Sequence, residues 1–222
     1  YSSAASDVYK RQIEDCLSNI RKYVSQFAFA EKDFVLREAF CSDYMDTLCA
    51  SLGYIQRIHH PEQRQNASDI NNICIINGVL NPQGGGIFAE ILELIRAYHN
   101  KKVFLFVTNM DEVPQNTLNI LNQYSNLTLV CPPKDANSKL TYFSDKLVEI
   151  SPYRAYYYCS HNDVYGPALM QAGVCENICL FSFDHGYLCG ITNPNIDTIS
   201  AKRPADFTLL SKRFGPRVIY IP

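Results

Sequence analysis

The sequence predicts an α/β fold: an open, doubly wound, mostly parallel Rossmann-like sheet preceded by an N-terminal helical segment. Three observations lead there. From position 73 onward, short apolar runs alternate with stretches of helical periodicity, the pattern of strand–helix units. The apolar runs carry few polar positions, as strands buried on both faces do. Glycine and proline fall between the units, most visibly in Asn81-Pro82-Gln83-Gly84-Gly85-Gly86, where they mark loops.

Taken in order, positions 13–30 place Ile13, Leu17, Ile20, Val24 and Phe27 at spacings of three and four, one face of a helix. A second helix is predicted over 33–52, with Asp33 as its N-cap and Gly53 as its stop. The polar stretch from His59-His60-Pro61 to Asp69 reads as a loop. The adjacent histidines have no carboxylate or Cys at convincing metal-ligand spacing. Strands are then predicted at 73–80, 103–108, 127–131, 155–159, 178–183, 207–210 and 218–221. Helices are predicted at 87–98, 114–124, 139–150 and 164–172. The resulting division is 1–12 as a leader, 13–70 as the helical segment and 71–222 as the Rossmann-like domain.

Composition narrows the function. Hydrophobic content of 47% and charged content of 19% over 222 residues describe a chain that buries a core. A net charge of -2 supplies no basic stripe for nucleic acid. The nine cysteines are odd in number and contain no C-x-x-C, which predicts buried reduced thiols, no metal site and a cytoplasmic location. No apolar run approaches the roughly 18 residues of a membrane span; peripheral membrane association is compatible with this.

Four strand ends carry polar side chains: the glycine loop, Thr108-Asn109-Met110-Asp111-Glu112, Ser160-His161-Asn162-Asp163 and Ser182-Phe183-Asp184-His185-Gly186. Parallel strands bring all four to one edge, where open α/β sheets bind ligands. The glycine loop precedes a helix N-terminus, whose free N–H groups attract phosphate, carboxylate or sugar hydroxyls. Asp163 is equally suited to capping the helix that follows it. In Asp184-His185 a carboxylate adjoins an imidazole that it would orient if the backbone turns, and Gly186 permits a turn. Gly84-Gly85-Gly86-Ile87-Phe88-Ala89 also satisfies G-x-G-x-x-A, with Asp111 or Glu112 near the next strand end as the ribose-binding acid. Against this dinucleotide reading, three residues separate the first glycine from the strand.

Phe181-Ser182-Phe183-Asp184-His185-Gly186-Tyr187-Leu188-Cys189-Gly190 resembles a segment in the N-terminal domain of GT-B glycosyltransferases, which have two facing Rossmann-like domains. Arg154-Ala155-Tyr156-Tyr157-Tyr158-Cys159-Ser160-His161-Asn162-Asp163, Ile196-Asp197-Thr198-Ile199-Ser200 and Ile219-Tyr220-Ile221-Pro222 extend the resemblance over about 73–222. It implies an acceptor-binding half, with the nucleotide-sugar donor held mainly by a C-terminal domain and no resident cofactor. Pro222 then stands at the interdomain linker, and the chain alone is expected to be inactive. The family's usual His before the strand-end residues is replaced here by Ser182 or Phe183. The resemblance therefore implies His185 as base or acceptor-positioning group with Asp184 orienting it, and Gly84, Gly85, Gly86, His161, Asp163 and Asn109 as substrate-binding residues. A nicotinamide-linked oxidoreductase, a GT-B type sugar-nucleotide epimerase and a non-enzymatic ligand-binding domain are the alternatives. Asp7-Val8-Tyr9-Lys10-Arg11-Gln12 resembles the translation of a sequencing-library adapter, the ground for treating 1–12 as non-native.

Overall fold

The computed structural model describes residues 3–28, 41–58, 68–83, 86–134, 136, 138–171, 173–181 and 188–221. Helices α1 (Ser3–Ala28) and α2 (Asp43–Ile58) precede β1 (Asp69–Asn77), α3 (Gly86–Ala97), β2 (Lys102–Val107), α4 (Gln115–Leu121) and β3 (Leu127–Val130). There follow α5 (Lys139–Ile150), β4 (Pro152–Tyr158), α6 (Tyr165–Leu169), β5 (Glu176–Phe181), β6 (Thr198–Ala201), α7 (Pro204–Phe214) and β7 (Val218–Tyr220). The seven strands form one sheet in the order β3-β2-β1-β4-β5-β6-β7. Every neighbouring pair is parallel. This is the Rossmann-like, doubly wound arrangement, and β1 and β4 flank the point where strand order reverses.

Strand alternation sorts the core into two layers. On one face Cys74 and Ile76 of β1, Phe106 of β2, Tyr157 of β4 and Ile199 of β6 pack with the inner sides of α1, α2, α5, α6 and α7. On the other, Ile73, Ile75, Leu105, Tyr156 and Tyr158 pack with Phe88, Ile91 and Ile95 of α3 and Leu121 of α4. The run Tyr156-Tyr157-Tyr158 thus divides between the layers.

The N-terminal helices belong to the first layer. Ile13, Leu17, Ile20 and Val24 are buried in it as their spacing predicts; the Phe27 side chain lies outside the described residues. One polar clamp seats α1. Glu14 Oε1 accepts from the Ser138 hydroxyl and the Leu140 N–H, each at 2.7 Å, and Oε2 accepts from the Tyr165 hydroxyl at 2.7 Å. A carboxylate against the first turn of α5 also meets the positive end of that helix. The helix runs from Ser3, through most of the segment set aside as a leader.

Several expectations change. Positions 207–210 are helical, within α7, and the strand before β7 is Thr198–Ala201 instead. The buried positions of this segment are Asp206, Leu210 and Phe214, spaced by four as on one face of a helix. Pro204 opens this helix, Asp206 lies in its first turn, and Lys212 and Arg213 lie in its last, as helix ends favour. Gly53 does not stop α2, which continues to Ile58. The start of α2 is at Asp43, with Ser42 Oγ accepting from the Met45 N–H at 3.3 Å. Asp33 and the pair His59-His60 lie outside the described residues. The first strand spans Asp69–Asn77, so Gly78 to Leu80 have already left the sheet. No helix among the described residues is long and apolar enough to cross a membrane.

Candidate functional site at the carboxyl edge of the sheet

The crossover from β3 through α5 to β4 carries the chain to the far side of β1. The loops after β1 and β4 therefore depart to opposite faces, the arrangement that places ligands at this edge in open α/β sheets. The β1 tip passes tightly against the β4 loop: a Cβ on Gly78 would sit 3.2 Å from Ser160 Oγ and 3.3 Å from Asp163 Cβ. Only glycine leaves those side chains undisturbed.

Asp163 is the hub of this edge. Its Oδ2 accepts from the Thr108 hydroxyl at 2.7 Å, linking the β2 tip to the β4 tip across β1. Its Oδ1 accepts from the N–H groups of Tyr165 at 3.1 Å and Gly166 at 3.3 Å, capping α6. Asp163 is only 2% exposed, and burial raises its pKa against the lowering effect of those three donors. With both oxygens engaged, it shapes this edge rather than presenting a free carboxylate to it. Thr108 is fixed in turn by its N–H to the Asn77 carbonyl, and Asn109 donates its N–H to the Gly78 carbonyl at 2.8 Å.

Beyond these anchors lies a chain of amides. Asn109 Nδ2 donates to Asn162 Oδ1 at 3.3 Å, and Asn162 Nδ2 donates to Ser25 Oγ at 3.3 Å. Asn109 Oδ1 is buried and has no hydrogen-bond partner among the described residues, a deficit that costs about 1–3 kcal/mol when left unmet. His161 is half-buried on the same β4 tip. This edge therefore gathers Asn109, His161, Asn162 and the Asp163 hub, and α3 opens at Gly86 beyond the β1 loop. Gly84, Gly85, Asp184 and His185 lie outside the described residues.

The flanks of the Asp184–His185 run are described. Phe181 ends β5. Cys189 returns to the β4 tip, its N–H donating to the Ser160 carbonyl at 3.0 Å. The chain after Cys189 is held from the helical layer by Asp46 of α2, a fully buried carboxylate. Its Oδ1 accepts from the Gly190 N–H at 2.7 Å, and its Oδ2 from the Thr192 N–H at 2.9 Å and the Thr192 hydroxyl at 2.6 Å. Burial raises the Asp46 pKa from its ordinary 3.8 to about 6, opposed by the three donors.

Sequence reasoning placed Asn109, His161 and Asp163 on this edge and missed Gly78, Ser25 and Asp46. Gly78 directly follows a strand, which is a usable signal. Ser25 and Asp46 act through contacts more than 130 positions away in the chain, for which a single sequence gives no local cue. Asp111 and Glu112, the acids of the dinucleotide reading, are ion-paired at the surface with Lys139 at 2.6 Å and Lys134 at 2.5 Å. Among the described residues no group of three His, Cys, Asp or Glu side chains gathers at metal-binding distance. No protein-family model and no curated protein matches this chain.

Proposed function

We propose that this chain is the acceptor-side half of a GT-B type glycosyltransferase, which moves a sugar from a nucleotide-sugar donor to an acceptor hydroxyl. The observation that carries the reading is positional. The residues of the glycosyltransferase-like run that are described, Phe181 and Leu188 to Gly190, flank Asp184-His185 and sit at the carboxyl edge beside the β4 tip. The β4 tip itself carries the second matching run, Ser160 to Asp163. Two separate sequence resemblances therefore lie side by side on the carboxyl edge of the sheet, the β4 run at the switch point where such a sheet binds ligands.

In this reading the acceptor lies between the β1 and β4 loops. Glycosyl transfer needs the acceptor hydroxyl to lose its proton as its oxygen attacks the anomeric carbon. His185 takes that proton or positions the hydroxyl, and Asp184 orients the ring. The amides of Asn109 and Asn162 and the imidazole of His161 bind acceptor hydroxyls. The N-terminus of α3 and its glycine loop approach donor or acceptor phosphate. The donor occupies a second domain, and no resident cofactor is required. The nine free thiols agree with cytoplasmic residence.

In an enzyme comprising this chain and its donor-binding half, His185→Ala is expected to lower kcat by about 10²–10⁴, the usual worth of a positioned acid–base group. The thermal midpoint should stay at the wild-type value. Full turnover in that variant would remove His185 from the mechanism.

A nicotinamide-linked oxidoreductase is the second reading, favoured by the strand order 3-2-1-4-5-6 that dinucleotide folds share. It requires Asp111 or Glu112 to bind a ribose, and each pairs at the surface with a lysine that a ribose would have to displace.

A further inference from the structure

We propose that a cleft between the exposed face of α2 and the turns after α6 and β5 is a binding site for a neutral sugar, separate from the carboxyl edge. The cleft has a volume of about 480 Å³, within the range of about 300–1,000 Å³ typical of small-molecule sites. One wall is α2, where Thr47, Ser51 and Tyr54, spaced by four and three, are exposed on a single helical face. Gln171 and Asn195 line the other wall. The Asn195 carbonyl accepts from Asn177 Nδ2 at 3.0 Å, and Asn177 is the second residue of β5. The cleft therefore lies toward the amino ends of the strands.

The observation that points to a ligand is the Gln171 amide. This residue is only 7% exposed, yet it lines the cleft. Its Nε2 donates to the Ala50 carbonyl at 3.4 Å and to the Ala168 carbonyl at 2.8 Å. Both N–H bonds are thereby used and the amide plane is fixed. No hydrogen bond among the described residues ends on its Oε1. Asn195 repeats the arrangement. Its Nδ2 donates to the Met170 carbonyl at 2.8 Å, and its Oδ1 accepts no bond among the described residues. Two amide oxygens are thus held by backbone carbonyls two residues apart, and each can accept two hydrogen bonds.

These groups select the ligand. Fixed acceptors favour a molecule rich in O–H donors. Ser51 Oγ gives its proton to the Thr47 carbonyl at 2.8 Å, so it too meets a ligand as an acceptor. Tyr54, 58% exposed, offers a flat ring whose negative face attracts C–H groups. A pyranose ring carries hydroxyl donors around its rim and C–H groups on its face, and so matches both walls. Among the lining residues Arg57 alone is charged, and no carboxylate is present to hold a cationic ligand.

The test is shift mapping of backbone and side-chain amides on the isotopically labelled chain. Maltose, cellobiose, N,N′-diacetylchitobiose and, as a control, glycerol are titrated separately. At least one disaccharide is expected to move the Gln171 and Asn195 side-chain amide signals together with the Ser51 and Tyr54 backbone amides. Tyr54→Ala should weaken that binding about tenfold, the worth of one ring contact. Its thermal midpoint should not change, because the side chain is exposed. Tyr54→Phe keeps the ring and should bind as wild type does. Silence at these four residues with all three disaccharides, or unaltered affinity in Tyr54→Ala, overturns the inference. Glycerol moving the same signals shows an adventitious additive only and also overturns it. None of these outcomes bears on the glycosyltransferase reading, whose edge is followed separately by the Gly78 and Asn109 amides.

Discussion

Gly53→Ala is expected to destabilise the chain by about 4 kcal/mol or more, in the range reserved for severe core changes. At this position α2 crosses α6 so closely that an added Cβ would lie 1.8 Å from the Ala168 carbonyl oxygen and 2.8 Å from its carbon. Both are backbone atoms and cannot swing aside. The third neighbour, Gln171 Nε2 at 2.6 Å, is itself held by the carbonyls of Ala50 and Ala168. The gain of about 1 kcal/mol in helix propensity that Ala brings is far too small to offset the separation of two packed helices. Thermal unfolding should show a midpoint about 10 °C lower or more, given about 2–4 °C per kcal/mol for a chain of this size. Gly86→Ala is the control: the nearest atom to its added Cβ is Glu90 Oε1 at 3.9 Å, and no loss is expected. A wild-type midpoint in Gly53→Ala would mean that α2 does not dock on α6 as described.

Asp46→Ala has the next largest expected effect. It strips the acceptor from the Gly190 N–H, the Thr192 N–H and the Thr192 hydroxyl at once. Buried donors left without partners cost about 1–3 kcal/mol each, so a loss of about 3 kcal/mol or more follows. Asp46→Asn keeps one carbonyl oxygen and should lose less. The two variants also differ from wild type in pH dependence. The folded pKa of Asp46 is raised to about 6, above its value of about 3.9 in an unfolded chain. Between those values the folded state holds the extra proton, so this group's contribution to stability falls as pH rises from about 4 to about 6 and is level above that. Its span is about 3 kcal/mol, at 1.36 kcal/mol per pKa unit. The change in urea midpoint from pH 4.5 to pH 7 should therefore be more positive in Asp46→Asn than in wild type. Identical pH profiles would show that Asp46 is not titrating from a buried position.

The sheet was legible because its signal is local. Apolar runs such as Ile73 to Ile76 and Val103 to Val107 are buried throughout or nearly so, and nothing but a parallel strand covered on both faces uses such runs repeatedly. The N-terminal face of Ile13, Leu17, Ile20 and Val24 was legible for the same reason. Errors arose where one segment satisfied two periods. Phe207 to Leu210 is a short, mostly apolar run that fits a strand or a helix, and burial at Asp206, Leu210 and Phe214 resolves it as a helix. Gly53 illustrates a different limit. Glycine near the end of a periodic run reads as a helix stop, but here it is the contact point of a helix crossing, a property of the partner helix and not of the run.

At the site, residue types at strand ends were readable and their division of labour was not. Asp163 has the same sequence context whether it binds a ligand or caps α6. The Thr108 hydroxyl and the two α6 N–H groups assign it to the scaffold. The role of α1 was hidden altogether, since its Ser25 reaches an edge formed by residues more than 80 positions downstream.

The most direct test of the edge between β1 and β4 as an acceptor site is amide chemical-shift mapping on the isotopically labelled chain, with glucose 6-phosphate and NAD⁺ titrated separately. The sugar is expected to move the amides of Gly78, Asn109 and Ser160 to Asp163 while NAD⁺ leaves them in place. Shifts induced by NAD⁺ at Gly78 and Gly86, with the sugar silent, would contradict the account and support a dinucleotide enzyme.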